Sequence, residues 1–251
     1  MSQTLRIAQL YADELGVTGD RGNVLALQAR WERFGGDAVR VLVGRGDEIP
    51  ADTDIVVIGN GPLSAMRLVL SDLREKAGSL ETLVAQGAPL LAVGGGAELL
   101  GESVETLEGE TLTGVGLFPF RVHRVRDRRV GYVVADTEHG RLVGFEDHAS
   151  DWTLGDGAVE YGVVTAGKGS FARTQGRGEG VRRGDAYALN VQGPVLPLNP
   201  QLTDVLLSAA ASRRGVEYRT GEAHAEIDRL AAGAREAILA RAGKVFNSMG
   251  V

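Results

Sequence analysis

A sharp glycine turn between a strand and a helix is the segment of this chain closest to a catalytic motif. Leu90 to Val93 predict a buried strand, and glycines at 94–96 predict a tight turn into a helix that ends near Gly101. A strand, a strained turn and a helix form a nucleophile elbow, which holds a serine or cysteine at its apex for attack on a carbonyl carbon. The apex here is Gly94, and the chain contains no cysteine. The frame of a covalent-catalysis site is therefore present without its nucleophile.

The glycine apex leaves two interpretations open. An elbow holds its apex in a backbone conformation that costs a residue with a side chain about 1–3 kcal/mol, whereas glycine adopts it freely. The amide of Gly95 and one from the Asn60-Gly61 turn are then candidates for an oxyanion-binding nest. The competing interpretation is an ordinary strand–glycine–helix turn. A phosphate site is weakly supported, because the glycines match neither the dinucleotide fingerprint nor the Walker A pattern.

Two other residue types offer acid–base or nucleophilic chemistry. His148 follows Glu146 and Asp147, whose charges favour a raised pKa and an oriented ring. Ser64 follows the Asn60-Gly61 turn and, with His148 as base, would make a relocated hydrolase site. A structural histidine is the competing interpretation. The histidines lack the spacing of a metal site, and we expect no metal and no cofactor.

A basic stretch at 124–129 contains four arginines beside Asp127. An arginine in this stretch can hold a carboxylate through two parallel hydrogen bonds. A solvated loop is the alternative interpretation, and the local sequence does not decide between them.

The elements that must position these residues alternate between strands and helices. Strands are predicted at 5–10, 39–43, 54–58 and 90–93, with helices at 24–34, 63–75 and 80–86. This alternation predicts an α/β fold with a doubly wound, mostly parallel sheet flanked by helices. Ligands bind beyond the carboxyl ends of the strands in such sheets. Both glycine turns, at 59–61 and 94–96, fall there.

The sequence changes character from about residue 117. Short strand-like runs predict an antiparallel extension of the sheet, at 118–122, 129–134 and 141–145. Residues 167–169 and 176–180 are predicted as polar loops, and 186–191 as a strand. Asn199 followed by Pro200 predicts a helix start with the asparagine as cap, running to about residue 212. A final amphipathic helix is expected at about 223–242, with an apolar stripe at Ile227, Leu230, Ala231, Ile238 and Leu239. We expect a main domain at 1–215 and a helical appendage at 216–251 packed on it.

The composition is that of an ordinary globular protein. The chain has 251 residues, 43% of them hydrophobic and 24% charged, with a net charge of −6. The negative charge argues against a nucleic-acid partner. No segment approaches the ~18 uninterrupted apolar residues of a membrane span, and the first residues lack a signal-peptide pattern, so we expect a cytoplasmic location. Without cysteine, disulfides and thiolate metal sites are excluded.

Together these segments resemble a known family. The chain is similar to the glutaminase subunit of lipid II isoglutaminyl synthase, a cobyric-acid-synthase-type class I glutamine amidotransferase. The resemblance runs nearly end to end and rests on residues 19–23, 58–61, 90–101, 113–117, 143–148 and 193–200. The last segment, GPVLPLNP, is the most specific.

The resemblance implies a cysteine at position 94 and an activating histidine at position 192. Here these positions are Gly94 and Gln192, and glutamine cannot take up a proton at neutral pH. The resemblance also implies a substrate-binding arginine, for which Arg128 is the best match. Together with Gly95, Asn60 and Gly61, it forms the predicted substrate-binding set. The loop at 167–171 departs from the glycine-asparagine loop usual in the family.

In the family, ammonia from glutamine passes to a Mur-ligase-like subunit, which uses ATP to amidate the D-glutamate of the peptidoglycan precursor. The leading hypothesis is therefore a subunit that no longer hydrolyses glutamine. It would serve as scaffold or regulator in a heterodimer with such a ligase, and would bind glutamine or another small carboxylate near Arg128. The alternatives are an active hydrolase or amidotransferase that uses Ser64 and His148, and a carboxylate sensor without a ligase.

Overall fold

The computed structural model describes residues 4–171 and 177–242, and the backbone of 246–250. Within these ranges the strands are β1 (Leu5–Leu10), β2 (Ala38–Val43), β3 (Ile55–Ile58), β4 (Leu90–Val93), β5 (Ser103–Glu105), β6 (Thr111–Thr113), β7 (Phe120–Thr137), β8 (Gly140–Leu154), β9 (Val159–Ala166), β10 (Gly178–Arg183), β11 (Ala186–Leu189) and β12 (Phe246–Gly250). The helices are α1 (Arg21–Phe34), α2 (Leu63–Glu75), α3 (Ala77–Ala85), α4 (Gly95–Leu100), α5 (Val195–Leu198), α6 (Pro200–Arg213) and α7 (Ala225–Leu239).

One mixed sheet connects these strands in the order β2-β1-β3-β4-β11-β10-β9-β7-β5-β6, and β8 and β12 also pair with β7. The five strands from β2 to β11 are parallel to their neighbours. From β11 the pairing turns antiparallel through β10, β9, β7 and β8. The predicted α/β class, with a parallel sheet flanked by helices and an antiparallel extension, is confirmed.

Successive residues of the parallel strands pack on opposite faces of the sheet. Ile58 and Ala92 belong to a buried cluster that includes residues of α2, α3 and α4. Val57 and Val93 belong to a second cluster, with residues of α1, α5 and α6. Helices cover both faces, which explains why β3 and β4 are continuous apolar runs.

The carboxyl ends of three parallel strands lie side by side and locate the site. Ile58 of β3 is in register with Ala92 of β4, and Val93 of β4 with Leu189 of β11. The residues that follow these ends, at 59–61, 94–95 and 190–192, therefore meet at one edge of the sheet.

The antiparallel extension differs from the prediction. The sequence predicts two short strands with a basic stretch between them, but the structure has one long strand, β7. Its register with β8 shifts between Arg124 and Arg129. β8 continues past the predicted end at 145 and carries His148. β9 is not predicted at all. Residues 178–180, predicted as loop, belong to β10. Glycine is accommodated in this strand at Gly180, which has φ +66°, a conformation that glycine adopts freely. Residue 176 lies outside the described ranges.

The last helix, α7, lies inside the predicted range and contacts α5 and β8. Ala231 and Ile238 are buried, whereas Leu230 and Leu239 are exposed, so the predicted apolar stripe is partly wrong. The backbone of β12 pairs with β7 in the same sheet. The domain division at 215 stays a prediction.

Among the helices of the described residues, none has both the length and the apolar character that crossing a bilayer demands.

Asn199 stands directly before α6, but its side chain does not cap that helix. Its Oδ1 accepts a hydrogen bond from the Val143 amide at 2.9 Å, and its Nδ2 donates to the carbonyls of Val143 at 2.8 Å and Val195 at 2.7 Å. Asn199 is therefore at the predicted N-cap position, but its side chain binds backbone groups outside the helix instead of capping it. The side chain satisfies buried backbone groups of β8 and holds this strand against the 193–200 segment.

We expect Asn199→Ala to lower the free energy of unfolding by at least about 2 kcal/mol, since each buried backbone group left without a partner costs about 1–3 kcal/mol. Urea unfolding measures the change. Gln201→Ala is the control, because Gln201 donates an exposed hydrogen bond to Arg141 of the same strand and its loss should cost less than about 0.5 kcal/mol. Equal costs in the two variants would contradict the role of Asn199.

Candidate functional site

The predicted strand, turn and helix at 90–101 are present. Gly94 lies at the apex with φ 53° and ψ −123°, and its amide donates to the Leu189 carbonyl at 2.8 Å. The two residues after the apex also have no room for a side chain. A Cβ at Gly95 would lie 2.6 Å from the Gly61 carbonyl oxygen, and one at Gly96 would lie 2.4 Å from that of Gly59. The run of glycines therefore lets the 94–96 turn pack directly on the 59–61 turn.

A relay of amide groups joins the ends of the three strands. The backbone N–H of Gly95 donates to Asn60 Oδ1 at 2.8 Å, and Asn60 Nδ2 donates to Gln192 Oε1 at 3.1 Å. The structure thus brings together the apex turn, Asn60 and position 192, as the sequence predicted. It also shows that the Gly95 amide, the candidate oxyanion donor, already has an acceptor within the chain.

Asn60 also fills the space in front of the apex. An ideal Cβ built on Gly94 would lie 2.3 Å from Asn60 Oδ1 and 2.6 Å from its Cγ. Real Cβ atoms essentially never approach other atoms this closely. Neither a cysteine nor any other side chain fits at position 94 unless Asn60 moves.

A cleft of about 500 Å³ opens beside this relay. Most of its lining side chains are polar or charged, and they come from six parts of the chain. They are Thr18, Asn60, Glu98, Arg124, Arg128, Asp147, His148 and Gln192. The cleft therefore contains the predicted residues Asn60, Gly61, Gly95, Arg128 and Gln192 in one place.

Arg128 is engaged by a neighbour across the sheet. Its Nε and Nη2 donate to the two carboxylate oxygens of Asp147, at 2.6 and 3.0 Å, and this pairing raises the pKa of the Arg128 guanidinium. The two side chains are 48% and 40% exposed, so solvent weakens the pair. A carboxylate ligand can displace Asp147 or bind the Nη1 side of the guanidinium, which Asp147 does not contact. The substrate-binding role of Arg128 stays a prediction.

Arg124 is the cleft arginine that sequence reasoning did not select. It forms an ion pair with Glu98, a buried residue of α4, and its Nη2 lies 3.2 Å from Met66 Sδ. Its Nε has no hydrogen-bond partner among the described residues. Because Arg124 pairs with the helix that begins at the elbow, it ties β7 to the apex turn. The only sequence signal was its membership of the basic stretch.

His148 is buried in the wall of the cleft, and its predicted raised pKa is wrong. Burial, together with the positive charge of Arg129, lowers the pKa of His148 to about 3. Asp147 is adjacent in sequence but pairs with Arg128, as alternation along a strand allows. Glu146 accepts hydrogen bonds from the backbone amides of 168 and 169 instead, and its carboxylate lies 3.9 Å from His148 Nε2. The imidazole is therefore neutral and a weak base.

Ser64 is exposed in the first turn of α2 and does not belong to the cleft lining that includes His148. The structure does not bring these two residues together as a nucleophile and a base. Among the described residues, no group of three or more histidines and carboxylates is arranged to hold a metal ion.

Comparisons with known proteins point to one family. A model of CobB/CobQ-like glutamine amidotransferase domains matches residues 6–194. The lipid II isoglutaminyl synthase (glutamine-hydrolyzing) subunit GatD of Staphylococcus aureus (strain N315) is 29% identical over 220 residues, covering 87% of this chain and 89% of the relative. The same subunit of Streptococcus pneumoniae (strain ATCC BAA-255 / R6) is 27% identical over 214 residues, covering 84% and 82%.

Solved structures show the same fold. The PurLQS structure from Thermotoga maritima aligns with a TM-score of 0.60 at 14% identity, covering 81% of this chain and 98% of that chain. A crystal structure titled glutamine amidotransferase aligns with a TM-score of 0.54 at 19% identity, with the same coverage. At these identities the likeness concerns the fold alone.

We expect Gly94→Ala to lower the free energy of unfolding through two separable costs. The positive-φ conformation costs about 1–3 kcal/mol, and the overlap with Asn60 adds a further ~1–3 kcal/mol. The second cost should disappear in an Asn60→Gly background, which a double-mutant cycle measures by urea unfolding. Gly116→Ala is the control for the first cost alone, because Gly116 has φ +73° and nothing within 4 Å of its Cβ position. Equal costs of Gly94→Ala in both backgrounds would rule out the overlap.

The neutral His148 predicts a loss of stability in acid. Its pKa falls from 6.5 to about 3 on folding, so the unfolded chain binds more protons between these values. Its contribution to the free energy of unfolding is complete above about pH 6.5 and falls toward pH 3, by up to ~1.4 kcal/mol per pH unit.

Urea unfolding of the wild type and His148→Asn, between about pH 7 and pH 4.5, tests this acid sensitivity. Burial raises the pKa of Glu146 and Glu179, so these carboxyl groups increase stability toward low pH. Because both proteins contain them, the difference between the two stability profiles reports the histidine. The variant should lose less stability toward low pH than the wild type. Parallel profiles would show that the histidine is not responsible.

Proposed function

Because the chain belongs to the family of CobB/CobQ-like glutamine amidotransferase domains, we propose that it is an amidotransferase-like subunit that does not hydrolyse glutamine. Its role would be to support a Mur-ligase-like partner as scaffold or regulator. The partner would then take free ammonia for its amidation reaction.

The observation that best supports this proposal is the chain of hydrogen bonds from Gly95 through Asn60 to Gln192. Covalent hydrolysis of an amide needs a nucleophile at the apex, a base to remove its proton and a free donor for the developing oxyanion. Gly94 supplies no nucleophile. Gln192 supplies no base, since an amide does not titrate at neutral pH. The Gly95 N–H already donates its hydrogen bond to Asn60 Oδ1. The nucleophile and the base are both missing, and one of the two candidate oxyanion donors is occupied, while the surrounding backbone keeps the elbow geometry.

Relocated catalysis has little support in the same geometry. The chain has no cysteine anywhere, so a thioester intermediate is not available. Ser64 lies outside the cleft lining, and the lowered pKa of His148 makes it a poor proton acceptor near neutrality. We therefore favour the non-hydrolysing subunit over the active hydrolase.

The proposed partner follows from the relatives. Each of the two bacterial relatives is named as a subunit of lipid II isoglutaminyl synthase, and the similarity spans 84–87% of this chain. We propose that this chain forms a heterodimer with a Mur-ligase-like protein whose acceptor is a peptidoglycan precursor. The intact frame of the fold supports retention of such an interface, independently of the lost chemistry.

Co-expression of the chain with a Mur-ligase-like protein of the same organism tests the proposal. We expect the two to co-elute in size-exclusion chromatography. The complex should amidate its acceptor with ammonium chloride and ATP but not with glutamine and ATP. Amidation from glutamine, or ammonia release from glutamine by the chain alone, would refute the loss of hydrolysis. Separate elution would refute the partner.

We expect Gly94→Cys alone to release no more ammonia from glutamine than buffer does. The thiol would have no base at Gln192, and its Cβ would overlap Asn60. An enzyme-coupled glutamate assay measures the rate. Gly94→Ala is the matched control, because it imposes the same backbone strain without a thiol. Robust turnover by the cysteine variant would show that this view of the cleft is mistaken.

A further inference from the structure

The carboxamide of Asn60 occupies the position in which the Gly95 amide would hold the carbonyl of a bound substrate. We infer that Asn60 is an internal ligand, which fills the carboxamide subsite of the cleft and excludes a free primary carboxamide from it. This inference rests on the proposed function, because it names the residue that closes the site of an amidotransferase frame.

The orientation of the Asn60 amide is fixed by its surroundings. The Gly95 backbone N–H is a donor, so the Asn60 atom that faces it at 2.8 Å must be oxygen. The Asn60 nitrogen then faces Gln192, which must present its own oxygen at 3.1 Å. A free primary carboxamide in this place would make the same two contacts, with its oxygen on the Gly95 amide and its nitrogen on Gln192.

The subsite and the apex share one space. The Asn60 oxygen lies 2.3 Å from the Cβ position of Gly94, which is where the first atom of a nucleophile's side chain would be. A free carboxamide held by Gly95 would therefore overlap the Asn60 side chain. The cleft admits one carboxamide at this point, and the chain supplies it.

The internal ligand has an advantage over a free one. A group attached to the same chain acts at an effective concentration in the millimolar range or above. Asn60 is held further by the 59–61 turn, which packs on the 94–96 turn. A free amide must displace Asn60 from both hydrogen bonds and also loses its translational and rotational freedom on binding.

Titration of the ¹⁵N-labelled full chain with L-glutamine tests this inference by NMR chemical shifts. Asn60→Ala removes the side-chain amide and should bind L-glutamine with a Kd at least about tenfold below that of the wild type, equivalent to about 1.4 kcal/mol. Asn60→Asp is the matched control. Its carboxylate keeps an oxygen on the Gly95 amide, and Gln192 can rotate its amide to donate to the other oxygen. This variant should bind as weakly as the wild type.

Three results would overturn the inference. They are a folded Asn60→Ala that does not bind L-glutamine, a wild type that binds equally well, and an Asn60→Asp that binds like Asn60→Ala. If Asn60→Ala does not fold, Asn60→Ser provides the same test, because its shorter side chain cannot span from Gly95 to Gln192. The readout is binding alone. Failure here leaves the proposed loss of hydrolysis standing, and ammonia release by the wild type would refute that loss without this titration.

Discussion

The direct packing of two backbone turns, 59–61 on 94–96, is the constraint on which the rest of the site depends. A Cβ at Gly95 would lie 2.6 Å from the Gly61 carbonyl oxygen, and one at Gly96 would lie 2.4 Å from that of Gly59. The ends of β3 and β4 therefore approach this closely because Gly95 and Gly96 carry no side chain. That approach places Asn60 over the elbow, and the parallel register of β4 and β11 places Gln192 beside it. The amide relay is a consequence of this packing.

Buried carboxylates stabilise the wall of the cleft behind the relay. Glu98 pairs with Arg124, and Asp151 pairs with Arg129, whose guanidinium also donates to the backbone carbonyls of 150 and 169. Glu179 accepts hydrogen bonds from the amides of 190 and 191, directly before Gln192. Buried charges are tolerated when they are paired and hydrogen-bonded in this way. They connect β7 to β8 and to α4, and they connect β10 to the 190–192 segment, so they define the shape of the cleft wall.

The sequence predicted the parallel half of the fold closely and the extension poorly, for physical reasons. β4 matches its predicted range because a fully buried parallel strand is a continuous apolar run, and β1 also matches its range although it contains an exposed Arg6. β10 was missed because it contains glycines, which weaken local strand preference. Positions 60, 94 and 95 were predicted from the two glycine turns, and position 192 from the family resemblance. The neutral state of His148, the backbone partners of Asn199 and the pairing of Arg124 with Glu98 were not, since each depends on neighbours distant in sequence.

The shared space between Asn60 and position 94 makes the two positions epistatic. A mutation that introduces a side chain at 94 meets both an unfavourable backbone conformation and the volume that Asn60 occupies, so it costs more stability while Asn60 is present. A mutation that shortens Asn60 meets neither obstacle. A side chain at the elbow is therefore better tolerated after a change at position 60 than before it, so the order in which the two positions change decides the cost of each step.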